Sequence, residues 1–198
     1  MNDRAANALN MAEATADPVR RRLWVVAAID ALLSTRMVIV GGAAVDLFTG
    51  SYRPTDIDLI GSVSREDRET LAAGGFTEVG SRHVAWTATD GETVLVEFPA
   101  SSLESDFDLI ELAPGVTVAV ITLEGLVVDR LIQATHPNSV SFDDAVALVA
   151  AVAEGMDWAA LSEIIRARPE AAFIGLLETT ADVLDAAGLS DEAALFGS

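Results

Sequence analysis

The sequence contains no cysteine and no lysine, and it has only two histidines among 198 residues. Without cysteine there can be no disulfide bonds, thiolate zinc sites or cysteine nucleophiles. With His83 and His136 as the whole supply of imidazole, a site built from several histidines is not expected either. These absences exclude disulfide-rich folds and proteins that hold a metal through thiolates or several imidazoles.

Long apolar runs are also absent. The longest, such as 145–153, fall short of the roughly 18 residues that a membrane-spanning helix needs. The first 18 residues lack the apolar core of a signal peptide. We therefore expect a soluble, cytoplasmic protein without membrane contact. A hydrophobic content of 51% indicates a globular chain, and at about 150 residues per domain its length predicts one domain with a small appendage at most.

Basic residues are scarce. Twelve arginines stand against 31 acidic residues, which gives a net charge of −19. A field of that sign repels phosphate backbones, so an extended nucleic acid is not expected as a partner. The cluster Arg20–Arg22 is interpreted as the solvated part of a first helix. The acidity fits a high-salt habitat, and codon bias would equally favour arginine over lysine.

Local patterns predict an α+β core over 1–122, of which 1–16 is expected to be disordered, and a helical segment over 123–198 packed on that core. Apolar runs and turn residues predict the strands, namely Met37–Val40, Asp56–Ile60, Phe76–Gly80, His83–Thr87, Thr93–Phe98, Phe107–Leu112 and Val116–Ile121. A tight turn at Asp90-Gly91 is expected to join the fourth and fifth of these as a hairpin. Helical spacing and capping residues predict the helices, namely 17–34, Ala43–Phe48, 64–73, Leu123–Thr135, Phe142–Glu154, Asp157–Ala167 and Pro169–Ala187. Among the start signals, Ser64 with Asp67 forms a variant capping box, and Asp157 is a start signal for the helix that follows it.

Gly41 and Gly42 lie where the first predicted strand meets the next helix. Glycines at such a junction allow a ligand to approach the backbone and turn free N–H groups toward an anion. Asp56 and Asp58 lie two residues apart on a predicted strand, so both side chains project from one face. Two carboxylates at so short a distance repel each other, and a cation between them would relieve the repulsion.

Glu97 is a third acidic candidate, because it ends a run of apolar strand-forming residues. An acid in that setting is costly unless it faces a cleft, a cation or a charged partner. On a strand beside Asp56 and Asp58, its carboxylate would join the same metal site. Mg²⁺ prefers oxygen ligands and commonly links one or two carboxylates to substrate phosphates.

The order of Gly41-Gly42, then Arg53-Pro54-Thr55-Asp56-Ile57-Asp58, then Glu97 between apolar residues resembles the nucleotidyltransferase superfamily with the DNA polymerase β-like catalytic fold. Within it, the chain is similar to small prokaryotic proteins that include toxin-type nucleotidyltransferases. The likeness covers roughly residues 23–166. It implies a nucleotidyltransferase-like mixed β-sheet with flanking helices, followed by a C-terminal helical segment.

The resemblance implies transfer of NMP from an NTP to an acceptor, with two Mg²⁺ ions. It implies that Asp56 and Asp58 bind both metal ions. Glu97 would bind one of them and help to deprotonate the acceptor hydroxyl. Gly41 and Gly42 would hold the triphosphate through backbone N–H groups. Arg53 and Thr55 would steady the phosphates or brace the loop.

Two more residues are candidates for nucleotide binding. Arg130 stands where related proteins often carry a basic residue, usually lysine, facing the nucleotide; a surface or paired arginine is the competing interpretation. Asp144 would orient Arg130 or contact the base. Alternatively, Asp143 and Asp144 would lie in a first helical turn after Ser141 and interact with the helix dipole.

The sequence therefore predicts a magnesium-dependent nucleotidyltransferase with an unidentified acceptor. The alternative is a catalytically inactive binding protein of the same fold, such as an antitoxin or regulatory partner, since a fold does not fix a function. The expected partner is an NTP in the first case and the product of a neighbouring gene in the second. A carboxylate-lined metal-binding module without a nucleotide role stays open as a third hypothesis.

Overall fold

The structure is a computed structural model that describes residues 2–50, 54–136, 139–168 and 175–197. The chain divides into two compact units, residues 1–122 and residues 123–198. The first contains the sheet and the second is helical. Each unit is described by itself below.

The first unit begins with two helices, α1 (Asp3–Ala14) and α2 (Pro18–Leu32). The prediction of a disordered N-terminus was wrong for α1. Its buried side chains recur at helical spacing against α2, and they are Ala5, Ala8, Leu9 and Ala12. Most of them are alanines, whose high helix propensity and small size allow a close helix–helix approach despite low overall hydropathy. The Asn2 side chain caps α1 by accepting from the N–H of Ala5 at 2.8 Å.

The interpretation of the Arg20–Arg22 cluster as solvated is wrong for Arg21, which is 9% exposed. Its Nη2 donates to Oδ2 of Asp90 at 2.7 Å, and its Nε lies within bonding distance of the Ala12 carbonyl. The N–H of Glu92 and the Arg21 guanidinium together lower the pKa of Asp90. Arg21 is therefore a structural link between the two N-terminal helices and the turn at Asp90.

Seven strands form one mixed sheet in the part of the chain that the structure describes. The sheet order is β3-β4-β5-β2-β1-β7-β6, with β1 parallel to β7 and β2 parallel to β5. The strands are β1 (Val38–Val40), β2 (Asp56–Ile60), β3 (Thr77–Glu78), β4 (His83–Thr87), β5 (Thr93–Glu97), β6 (Phe107–Ala113) and β7 (Val116–Ile121). Each lies where the sequence predicts a strand, which confirms the mixed sheet with flanking helices.

Two further helices connect strands of this sheet. Helix α3 (Gly41–Thr49) follows β1 directly and ends at Gly50, whose φ of +62° is the left-handed conformation typical of a helix C-terminus. Helix α4 (Arg65–Ala73) begins with the predicted capping box, in which Ser64 and Asp67 bond reciprocally.

One face of the β4–β5–β2 region is the apolar core of this unit. Ile57, Val84 and Val96 are at most 1% exposed and lie side by side in the register of the three strands. The alternation of side chains along a strand then places the residues between them on the opposite face. That opposite face carries the candidate site.

The second unit contains α5 (Leu123–Ala134), α6 (Ser139–Val152), a 3-10 turn (Ala153–Gly155), α7 (Trp158–Ala167), α8 (Leu176–Ala186) and α9 (Ser190–Ala193). Asp157 caps α7 as predicted, by accepting from the N–H of Ala160. The predicted start of a helix at Pro169 lies outside the described residues. Helix α6 begins at Ser139, before the predicted start, so it carries no acid in its first turn.

None of the helices in the described ranges combines the length and the apolar character that crossing a bilayer requires.

Candidate functional site

Four polar side chains share one face of three adjacent strands. In the sheet register, Asp58 of β2 lies opposite Glu97 of β5, and Glu97 lies opposite His83 of β4. Asp56 precedes Asp58 by two residues and therefore points to the same side of β2. All four are only partly exposed, while their strand neighbours Ile57 and Val96 face the core. The pleat of the sheet thus separates the charged groups from the core.

Glu97 is the centre of this group. Its side chain is 18% exposed, and each of its carboxylate oxygens has a basic partner. Nη2 of Arg82 lies 3.2 Å from Oε1, and Nε2 of His83 lies 3.4 Å from Oε2. Arg82 immediately precedes β4, and its carbonyl accepts from the N–H of Phe98 at 2.9 Å. The β4–β5 hairpin therefore brings both basic groups to the carboxylate.

Asp56, His83 and Glu97 each turn one potential ligand atom toward the others, and these atoms all lie within 4.8 Å of one another. Two carboxylate oxygens and one imidazole nitrogen form a donor set that fits a divalent cation. This face carries three carboxylates, and among the described residues the guanidinium of Arg82 offsets one of these charges, so the local field attracts a cation. Asp58 is not one of the three converging ligands.

Asp58 lies instead against Gly41 at the start of α3. A Cβ atom added at position 41 would overlap Oδ2 of Asp58, and Gly41 has a φ of +61°. Glycine is therefore required here both by the backbone conformation and by the closeness of the carboxylate. Val40 gives α3 no side-chain cap. An anionic group at this position is favoured by the partial positive charge of the helix N-terminus.

Of the other residues predicted for phosphate binding, the structure describes Gly42 and Thr55. Gly42 lies in the first turn of α3 and is half-buried. The Thr55 hydroxyl is 3.4 Å from Oδ1 of Asp56, so it contacts a candidate ligand. Arg53 lies outside the described residues.

Arg22 braces the segment that leads into β2. Its Nη2 donates to the Pro54 carbonyl at 2.8 Å, and its Nη1 lies 3.8 Å from Oδ2 of Asp46 on α3. The side chain is only 25% exposed. Arg22 therefore fixes the approach of β2 relative to α3, which positions Asp56 near the start of the strand.

Arg130 and Asp144 belong to the second unit, and their roles toward a nucleotide stay predictions. Arg130 donates from Nη1 to Oε1 of Gln133, whose Nε2 donates to Oδ2 of Asp129, both at 2.9 Å. Burial raises the pKa of Asp129, and the charges of Arg130 and Arg168 partly oppose that rise. Asp144 is exposed on α6 beyond its first turn, so the helix-dipole interpretation of this residue was wrong.

The residues predicted for the site from the sequence did not include His83 or Arg82. The information that identifies them is the register of the β4–β5 hairpin. In the structure Thr87 lies opposite Thr93 and His83 opposite Glu97. Counting back from the predicted two-residue turn at Asp90-Gly91 would instead pair His83 with Phe98, and a slip of one residue turns a side chain to the other face of the sheet. The observed turn is closed by the N–H of Gly91 donating to the Ala88 carbonyl, and this shifts the register by one residue.

No family model and no curated protein matches the chain. Among solved structures, it is similar to an antigenic nucleotidyltransferase-like protein from Paracoccidioides brasiliensis, with a TM-score of 0.51 and 16% identity. The match covers 81% of this chain and 93% of that chain. At this identity the likeness concerns the fold alone, and it agrees with the mixed sheet and flanking helices described above. The chain has a nucleotidyltransferase-like fold.

Proposed function

We propose that the chain is a metal-dependent nucleotidyltransferase that transfers NMP from an NTP to an acceptor hydroxyl, and that it is related to the small prokaryotic, toxin-type enzymes. The observation that carries the proposal is the position of Asp56, Asp58 and Glu97 on one face of adjacent parallel strands. The N-terminus of α3 lies at the same place, since Gly41 touches Asp58.

The charges on this face support the proposal. Each carboxylate increases the attraction for divalent cations, and cations are needed before a triphosphate can approach so acidic a protein. With a net charge of −19, the chain has no general affinity for phosphate. A local site that combines a metal with backbone N–H groups would overcome that repulsion.

In the proposed reaction, the acceptor oxygen forms a bond to the α-phosphorus of the NTP. The bond from that phosphorus to the β-bridging oxygen breaks, and pyrophosphate leaves with the electron pair. Glu97 accepts the proton of the acceptor hydroxyl. Bound Mg²⁺ would supply Lewis-acid stabilisation of the phosphate charge.

The chain's own residues then have distinct roles. Asp56 and Asp58 hold the metals, while Gly41 and Gly42 present N–H groups to the triphosphate. Thr55 steadies Asp56 through its hydroxyl. Arg53 is proposed to contact the phosphates.

The test compares the wild type with Asp56→Asn, which keeps the shape of the side chain and removes its charge. We expect Mg²⁺–NTP binding to weaken strongly in calorimetry. Transfer of label from α-³²P NTPs to acceptors in a cell extract should fall by about 10³-fold, which is typical of a lost group that stabilises transition-state charge. The melting temperature should stay within a few degrees.

Asp108→Asn is the matched control, because Asp108 is an exposed acid on β6 and the substitution removes the same charge. This variant should bind and transfer as the wild type does. The proposal is contradicted if the wild type binds no Mg²⁺–NTP at millimolar concentration.

A non-catalytic binding protein of the same fold is the second candidate, such as an antitoxin or a regulatory partner. The observation that favours it is the pairing of both Glu97 oxygens with Arg82 and His83. A carboxylate held in this way is less available as a base. This candidate predicts a stable complex with a neighbouring gene product that survives the Asp58→Ala substitution.

A further inference from the structure

His83 is the feature of the site that an all-carboxylate metal centre does not explain. Its Nε2 lies 3.4 Å from Oε2 of Glu97, and Asp56 offers a third atom to the same group. Two ligand atoms bound to one ion at about 2.0–2.2 Å are separated by about 2.8–3.6 Å when their angle at the metal is octahedral or tetrahedral. The spacing of the histidine and the glutamate therefore suits a shared ion.

A simple ion pair between His83 and Glu97 accounts for one contact but not for the third residue. Glu97 already receives the permanent charge of Arg82 on its other oxygen. Asp56 lies on a different strand, yet its carboxylate converges on the same point. A cation among the three ligands explains the convergence, because it compensates both carboxylates and uses the lone pair of a neutral imidazole.

The nitrogen ligand determines which cation fits. Mg²⁺ prefers an all-oxygen environment and keeps much of its water. Imidazole suits first-row transition metals, and divalent affinity for a mixed nitrogen and oxygen site rises from Mn²⁺ to Cu²⁺ and is lower again for Zn²⁺. We propose that Asp56, His83 and Glu97 bind a first-row transition-metal ion in preference to Mg²⁺, with His83 as the residue that sets the preference. The inference rests on the proposed function in that both use this carboxylate site.

Direct observation of the imidazole is the first test. The chain has two histidines, so ¹⁵N-labelled histidine gives two sets of ring signals, which the His136→Ala variant assigns. On titration with Zn²⁺, the Nε2 signal of His83 should shift with one-to-one stoichiometry, while the signals of exposed His136 should not. An unchanged His83 signal at saturating Zn²⁺ overturns the proposal.

The second test measures preference by calorimetry with Mn²⁺ and Mg²⁺ in the absence of nucleotide. The wild type should bind Mn²⁺ more tightly. In His83→Ala, Mn²⁺ affinity should fall at least about tenfold, a loss that even residues merely supporting a ligand produce, while Mg²⁺ affinity should change less than twofold. His136→Ala should match the wild type for both ions. His83→Asn repeats the measurement with a side chain of similar shape. If His83→Ala does not fold, the affinity of this second variant still tests the proposal.

Equal Mn²⁺ affinity in the wild type and both His83 variants, or equal affinity of the wild type for Mn²⁺ and Mg²⁺, overturns the proposal. Nucleotide transfer is a separate readout. Transition-metal binding at His83 without any NTP binding contradicts the proposed function and leaves this inference standing. Mg²⁺–NTP binding together with equal Mn²⁺ affinity in the wild type and both His83 variants does the reverse.

Discussion

The two faces of the β4–β5–β2 region share the same backbone hydrogen bonds but differ in almost every other respect. One face carries Ile57, Leu59 and Val96, each at most 1% exposed. The other carries carboxylates and an imidazole that stay partly open to solvent. Alternating residues of a single strand therefore have different roles. One set buries apolar surface, and the other presents polar ligand atoms.

Stability and site chemistry therefore depend on separate side chains in this region. Burial of the apolar face contributes favourably to folding. Asp56, Asp58 and Glu97 repel one another, so the site face contributes little or opposes folding while no cation is bound. Substitutions on the two faces should consequently affect different measurements.

Leu59→Ala should have the largest effect on stability among the variants below. Leu59 is fully buried on the apolar face, so its truncation should lower the free energy of unfolding by about 2–5 kcal/mol. Urea denaturation measures this loss. Metal affinity of the folded fraction should stay within twofold of the wild type.

Ile60→Ala is the control for that variant, because Ile60 is the next residue of β2 and is only half-buried on the opposite face. Its cost should be about half as large. An equal cost at both positions would contradict the contrast between the faces.

Gly41→Ala should lower both the free energy of unfolding and the affinity of the site. An alanine at a φ near +60° costs about 1–2 kcal/mol, and this cost applies equally to Gly50→Ala, since Gly50 has a φ of +62° and an added Cβ there would meet no atom of the described residues within 4 Å. At Gly41 the new Cβ would also displace the Asp58 carboxylate. We expect an additional loss of at least about 1 kcal/mol in urea denaturation.

The functional readout separates the two glycine variants further. Gly41→Ala should weaken Mg²⁺–NTP binding, while Gly50→Ala should not. Identical binding by both would show that Asp58 and the start of α3 take no part in the site.

Arg82→Gln should have the smallest effect of these variants, and it should increase the affinity for the metal ion. The Arg82 side chain is 61% exposed and competes with a cation for Oε1 of Glu97. Removing it should raise metal affinity by about two- to fivefold, as expected for a solvent-screened pair. Calorimetry with Mn²⁺ measures the change.

Arg65→Gln removes the same charge from an exposed pair with Glu69 and should leave metal affinity unchanged. A loss of affinity in Arg82→Gln would contradict competition and would mean that Arg82 holds Glu97 in place for the metal.

Much of the fold follows from local patterns. The strand at Asp56–Ile60 was predicted with its observed bounds because alternation of polar and apolar residues has the period of a strand. The capping box at Ser64 and the cap at Asp157 were predicted because a helix start needs an acceptor beside its free N–H groups. Helix α1 was missed because its buried side is mostly alanine, whose contribution depends on close packing against α2.

In the site, the spacing of two residues along one strand is enough to place Asp56 and Asp58 on the same face. Which residues lie next to them depends on how the strands pair. His83 and Glu97 come together because the β4–β5 hairpin sets their register, and Asp56 reaches them because β2 pairs with β5 rather than with a strand adjacent in sequence. Strand periods and caps depend on neighbouring residues, whereas pairing partners depend on the folding of the whole sheet, and this physical difference separates what the sequence determines from what it leaves to the fold.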